Sequence, residues 1–178
     1  EDELDLMPAA TAYGEIARRT MELDVQTCLL PAVGSYVNDT DSLKRFIDMA
    51  DPEVLRVCID SGFLAQAKIT TASFIKDFRQ KIGIVHLRDT KALPQRAAKK
   101  KKSEKDGEKA AHESQVPKVQ AMELGKGELD LESFVDALLK VEFVGWGPVL
   151  FDPARSKSLL EIAKTCHHYA EHTLDLVF

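Results

Sequence analysis

Apolar side chains recur along this chain in two alternating rhythms, one suited to helices and one to strands. Leu43, Phe46, Ile47 and Ala50 repeat at helical spacing behind the polar cluster Asn38-Asp39-Thr40-Asp41, which predicts a capped helix closed by Asp51-Pro52. The same spacing predicts helices over Ala9–Glu22, over Thr71–Gln80 with Phe74, Ile75 and Phe78 inward, over Leu131–Lys140 and over Ser156–His172. Between them lie short runs dense in apolar and β-branched residues: Val25–Leu30, Val54–Ile59 ending on Asp60, Ile82–Leu87, and Val144–Phe151, broken at Gly147-Pro148.

A strand followed by a helix, four times over, predicts an α/β fold built on parallel strands. Four βα units make half of an eight-fold barrel of the TIM type, and left open they would expose two bare sheet edges. The missing half is therefore expected upstream in the same polypeptide, in another chain, or through self-association. The chain opens on Glu1 rather than Met, as a piece of a longer polypeptide would.

One stretch breaks the alternation. Residues 95–118 carry eight basic and four acidic residues, and Val116 is the only strongly apolar side chain among them. The segment is thus +4 against −5 for the whole chain, which leaves −9 on the remainder. Such a composition cannot bury enough surface to offset ordering entropy, so we read it as a solvated insertion. Lys99-Lys100-Lys101-Lys102 also has the form of an import signal or an anion tether. The chain divides into βα units over 1–94, the lysine-rich insertion over 95–118, and the remaining βα units of the same domain over 119–178.

Chemistry in a parallel barrel gathers at the carboxyl ends of the strands. Those ends hold Asp60, then His86 with Arg88 and Asp89, then Asp152 with Arg155. A histidine and acids converging from separate strands suit a divalent metal or acid–base work. The plainer reading is that the aspartates cap the following helices and that His86 is a hydrogen-bonded core residue.

Four segments carry a family resemblance. Val57-Cys58-Ile59-Asp60-Ser61-Gly62-Phe63-Leu64 resembles the "C-x-D-T-G-H" strand end of the xylose-isomerase-like sugar isomerases and epimerases. Ile84-Val85-His86-Leu87-Arg88-Asp89 is similar to their "V-H-L-K-D" strand, and Leu124-Gly125-Lys126-Gly127-Glu128-Leu129-Asp130 to their "L-G-E-G-x-x-D" loop. Gly145-Trp146 is similar to the approach to their last strand. The resemblance runs in order from about Tyr13 to the end of the chain and corresponds to the second half of that (β/α)8 barrel.

The resemblance implies a divalent metal, often Mn²⁺ or Mg²⁺ and in some members Co²⁺ or Zn²⁺, held by two glutamates, an aspartate and a histidine. The substrate would be a sugar or polyol, with a glutamate moving a proton beside the metal-held oxygens. Asp60 and His86 match two of those ligands. Leu30 and Leu150 stand where the glutamates are expected, and Phe63 where a histidine is common. Leucine offers no lone pair. Asp152 is two positions beyond Leu150 and so on the same strand face, which makes it the candidate replacement ligand. The resemblance leaves Arg88, Asp89 and Arg155 as candidate substrate-binding residues.

Other patterns are weaker. His168 and His172 share a helix face without a third ligand nearby. Gly125-Lys126-Gly127 has a phosphate-loop look but lacks the Walker context. Cys28, Cys58 and Cys166 sit among apolar residues, as inert buried thiols do, and three cysteines do not build a secreted disulfide scaffold. A reducing, intracellular setting is expected, most simply the cytoplasm. The acidic balance gives no reason to expect nucleic-acid binding, and no apolar run is long enough for a membrane span. Two readings follow: a non-catalytic relative that kept the scaffold and needs no cofactor, or an active metal-dependent isomerase, epimerase or dehydratase completed by a first half-barrel.

Overall fold

A computed structural model describes residues 6–93, 119–151 and 158–176. Its elements run α1 (Met7–Met21), β1 (Cys28–Leu29), α2 (Thr40–Met49), β2 (Arg56–Asp60), α3 (Ser61–Gln66), α4 (Thr71–Phe78), β3 (Ile82–Ala92), β4 (Val119–Met122), α5 (Leu131–Lys140), β5 (Val149–Leu150) and α6 (Leu159–His172). β1, β2, β3 and β5 are parallel neighbours in that order. The described residues form a partial parallel (β/α) barrel.

Four of the six described helices, α2, α3, α5 and α6, begin where a side chain accepts from an orphan amide. Asp39 and Ser42 form a capping box on α2, and the Ser42 N–H holds the Asp39 carboxyl below its usual pKa. Asp130 caps α5, and Ser158 forms a capping box with Glu161 on α6. α1 starts two residues before its expected position because Pro8 suits the first helical turn.

The core lies between the strands and the helices. Val57 and Ile59 of β2 and Val85 and Leu87 of β3 are buried with Leu43, Phe46, Phe74, Ile75, Phe134, Leu138 and Ile162. The Phe74 and Phe78 rings pack 4.7 Å apart between centroids, so that aromatic stripe is core. Along β3 the burial alternates: Val85, Leu87 and Asp89 are buried, whereas His86 and Arg88 are half-buried. The period of two therefore sends His86 and Arg88 to the concave face and Asp89 to the helix side.

Further elements differ from the sequence reading. α3 was not expected; Asp60 starts it, with its Oδ1 accepting from the Phe63 N–H at 2.9 Å. β3 continues to Ala92 and pairs antiparallel with β4, Ala92 opposite Val119. The lysine-rich segment is thus entered and left through a two-stranded ribbon, not a βα loop; residues 94–118 themselves lie outside the described residues. The last strand shrinks to Val149–Leu150 because Pro148 has no N–H, although the Trp146 and Pro148 carbonyls still accept from Val85 and Leu87. β1 is likewise reduced to Cys28–Leu29. Among the described residues, no helix is long and apolar enough to cross a membrane.

Candidate functional site

β2 and β3 bring Asp60 and His86 side by side, since the two are register partners across the parallel pair. His86 Nδ1 lies 3.5 Å from Asp60 Oδ2, and Arg88 Nε lies 3.4 Å from the same oxygen. Neither approach closes into a hydrogen bond, and His86 Nδ1 and Arg88 Nε are both buried without one. The Asp60 side chain is only 3% exposed, so water does little to screen this contact. Asp60 thus performs two tasks: Oδ1 caps α3 and Oδ2 faces the two nitrogens.

Arg88 is fixed from below. Its backbone N–H donates to Ser61 Oγ at 2.9 Å, and the Ser61 hydroxyl donates to the Arg88 carbonyl at 2.7 Å. Its side chain then crosses Gly62, where an added Cβ would meet Arg88 Cδ at 2.8 Å and Asp60 Oδ1 at 3.1 Å. No larger residue fits beneath it. Sequence reasoning missed this role of Gly62, although its place two residues after Asp60 carried the signal.

Asp89, expected to face a substrate, is turned the other way. It is 1% exposed, with Oδ2 accepting from the Gly127 N–H at 2.8 Å and Oδ1 from the Leu129 N–H at 3.2 Å. Adjacent residues of a strand face opposite sides, so Arg88 and Asp89 cannot share one pocket. Within Gly125-Lys126-Gly127 the Gly127 N–H is turned inward to Asp89, and the Lys126 N–H donates to the Glu123 carbonyl. A side chain on Gly127 would collide with that carboxylate.

Leu150 is in register with Arg88 and half-buried. Leu30 follows β1 and is 44% exposed. Phe63 is a core residue. Asp152 and Arg155, the remaining site candidates, lie outside the described residues. The His168 and His172 rings stack at 4.2 Å, and His172 Nδ1 contacts the His168 carbonyl at 3.1 Å, an arrangement within one helix. Burial pushes the thiols of Cys28, Cys58 and Cys166 upward, Cys58 to about 12, so none is an activated nucleophile.

Does the rim fit a divalent cation? Among the described residues, no three His, Cys, Asp or Glu side chains are placed to hold a metal ion. Two donors are present, but the oxygen of one already faces a guanidinium. The described side chains do not fit the four-ligand set that the family resemblance implies.

No family model matches the chain, and no curated protein matches it. Its three-dimensional arrangement does match solved structures. A xylose isomerase domain protein from Alicyclobacillus acidocaldarius superposes with a TM-score of 0.72 at 16% identity, covering 98% of this chain and 61% of that one. The IolI protein with a bound zinc atom gives 0.71 at 16% identity, covering 100% and 60%. L-ribulose 3-epimerase gives 0.70 at 14% identity, covering 98% and 56%. The chain therefore spans little more than half the length of these proteins. The chain has the fold of the xylose-isomerase-like TIM barrels, whose solved members include sugar isomerases and epimerases, over part of such a barrel.

Proposed function

We propose that this chain is a degenerate sugar isomerase/epimerase-like half-barrel, a non-catalytic structural or binding component that works without a metal. The observation that carries this reading is that, among the described residues, no third His, Cys, Asp or Glu joins Asp60 and His86 to hold a metal, while Arg88 Nε lies 3.4 Å from Asp60 Oδ2. A dipositive ion beside that guanidinium would be repelled, in part screened by solvent around the 37%-exposed Arg88 side chain. Leu30 and Leu150, where the resemblance expects glutamates, would offer such an ion no further ligand.

The partner we propose is a complementary half-barrel of four further βα units. Among the described residues β1 pairs only with β2, and β5 only with β3, so each has an open edge. Tyr13 and Ile16 on α1, Leu30 beside β1, and Leu159 and Leu160 on α6 are exposed apolar side chains. Three free thiols support a reducing, intracellular setting.

One distance favours the active reading, a metal-dependent isomerase, epimerase or dehydratase acting on a sugar or polyol. The 3.5 Å between Asp60 Oδ2 and His86 Nδ1 matches the span of neighbouring ligands on one ion with bonds of about 2.1 Å. Asp152 would then be the third ligand. Elemental analysis separates the two readings: protein expressed with excess Mn²⁺ and Zn²⁺ and then dialysed is expected to carry far less than one equivalent. Stoichiometric metal, lost in Asp60→Ala, would establish the active reading instead.

A further inference from the structure

The concave rim has a cleft of about 270 Å³, lined by Arg88 and Thr90 of β3, Val119 and Ala121 of β4, and Leu150 and Phe151 at the end of β5. Arg88 alone among these six carries a charge. We propose that the cleft is a metal-independent binding site for a small oxyanion, a carboxylate or phosphate group, gripped by the terminal nitrogens of Arg88. The proposal rests on the reading that Arg88, not a divalent ion, is the resident cation of this rim.

Three features support it. Asp60 faces Nε, the inner nitrogen of the guanidinium, while the Arg88 side chain remains 37% exposed. An arginine held at Nε still presents two terminal N–H groups as a planar fork, which matches the two oxygens of a carboxylate or phosphate. The fork is also preformed. Ser61 fixes the Arg88 backbone from both sides and Gly62 leaves a channel for its stem, so little rotamer freedom remains to be lost on binding.

The walls complete the site. Leu150 stands in register with Arg88 where the family resemblance placed a glutamate, so no carboxylate at that position competes for the fork. Val119, Ala121, Leu150 and Phe151 supply the apolar part of the lining beside the fork. Thr90, two positions beyond Arg88 and on the same strand face, adds a hydroxyl to the lining. The cleft, about 270 Å³, has room for such an anion.

The test is thermal denaturation and calorimetric titration of the chain with inorganic phosphate and, separately, acetate, in EDTA and a zwitterionic buffer. Either anion should raise the midpoint saturably, as a ligand bound only by the folded state must. A response to phosphate alone, or to acetate alone, names the head group. Arg88→Met, which keeps the stem without the fork, should weaken the apparent affinity at least about tenfold with an unchanged far-UV spectrum. Arg88→Lys should weaken it several-fold, and carries the test if Arg88→Met fails to fold. Saturation unchanged in both variants would place the anion elsewhere and overturn the proposal. No saturation with either anion would overturn it and leave the metal-free reading standing. Stabilisation that appears only with added Mn²⁺ would overturn both.

Discussion

Replacing Asp89 with alanine tests the claim that this residue holds a loop and takes no part in ligand binding. The substitution removes two hydrogen bonds from a buried carboxylate, to the Gly127 and Leu129 amides. Bonds to a charged partner contribute about 1.5–3 kcal/mol each, and the two half-buried amides would regain some water, so the expected net loss is about 3 kcal/mol. For a chain of this length each kcal/mol shifts the melting midpoint by about 2–4 °C, which gives a drop of roughly 6–12 °C by differential scanning calorimetry. Asparagine should not restore it: its single acceptor oxygen serves one amide, and its NH₂ confronts the other. Hydrogen exchange gives a local check, since the Gly127 and Leu129 amides should lose protection before those of β2. A midpoint shift below about 2 °C, or full rescue by asparagine, would refute the assignment and return Asp89 to the pocket.

Three further outcomes are expected. Deleting Ala97–Gln115, between the paired strands β3 and β4, should change the midpoint by less than about 2 °C, because surface insertions contribute little to a core; a large loss would mean that the segment docks on the barrel or a partner. Cys58 and Cys166 should resist alkylation at pH 8 until the chain is unfolded, while half-buried Cys28 reacts first; equal rates measured by mass spectrometry would contradict their burial. Asp39, its carboxyl lowered by the Ser42 N–H, contributes stability that is present above its ordinary pKa and lost as pH falls through the lower folded value. Asp39→Asn should therefore flatten the acid limb of the stability curve below about pH 4 while keeping the cap.

Elements were legible in the sequence where two signals agreed. α2 and α5 combine a capping residue with an unbroken helical repeat, and α5 has the bounds that its pattern predicts. α3 escaped because its six residues include Gly62, which reads as a breaker until Arg88 is seen to pass over it. β4 escaped because the charged composition of the insertion masked the short alternation at its far end, where pairing with β3 supplies order that local propensity does not. The site divides similarly. Asp60 and His86 were visible as strand ends, and their contact follows from parallel register. Asp89 was misplaced by reading a run of polar residues without the strand's two-sided alternation, a correction that the sequence itself contained. The contact between Arg88 and Asp60 depends on tertiary geometry and left no mark on spacing.

The central proposal is that this rim, where Arg88 faces Asp60, binds no divalent ion. Thermal denaturation with millimolar Mn²⁺, Mg²⁺, Co²⁺ and Zn²⁺, each against an EDTA control, tests it most directly. The account predicts no saturable rise in midpoint with any of the four, in the chain alone and in Arg88→Met, where the repelling charge is gone but Leu30 and Leu150 still withhold ligands. A saturable rise that disappears in His86→Ala would contradict it, and would make Asp152 the next residue to replace.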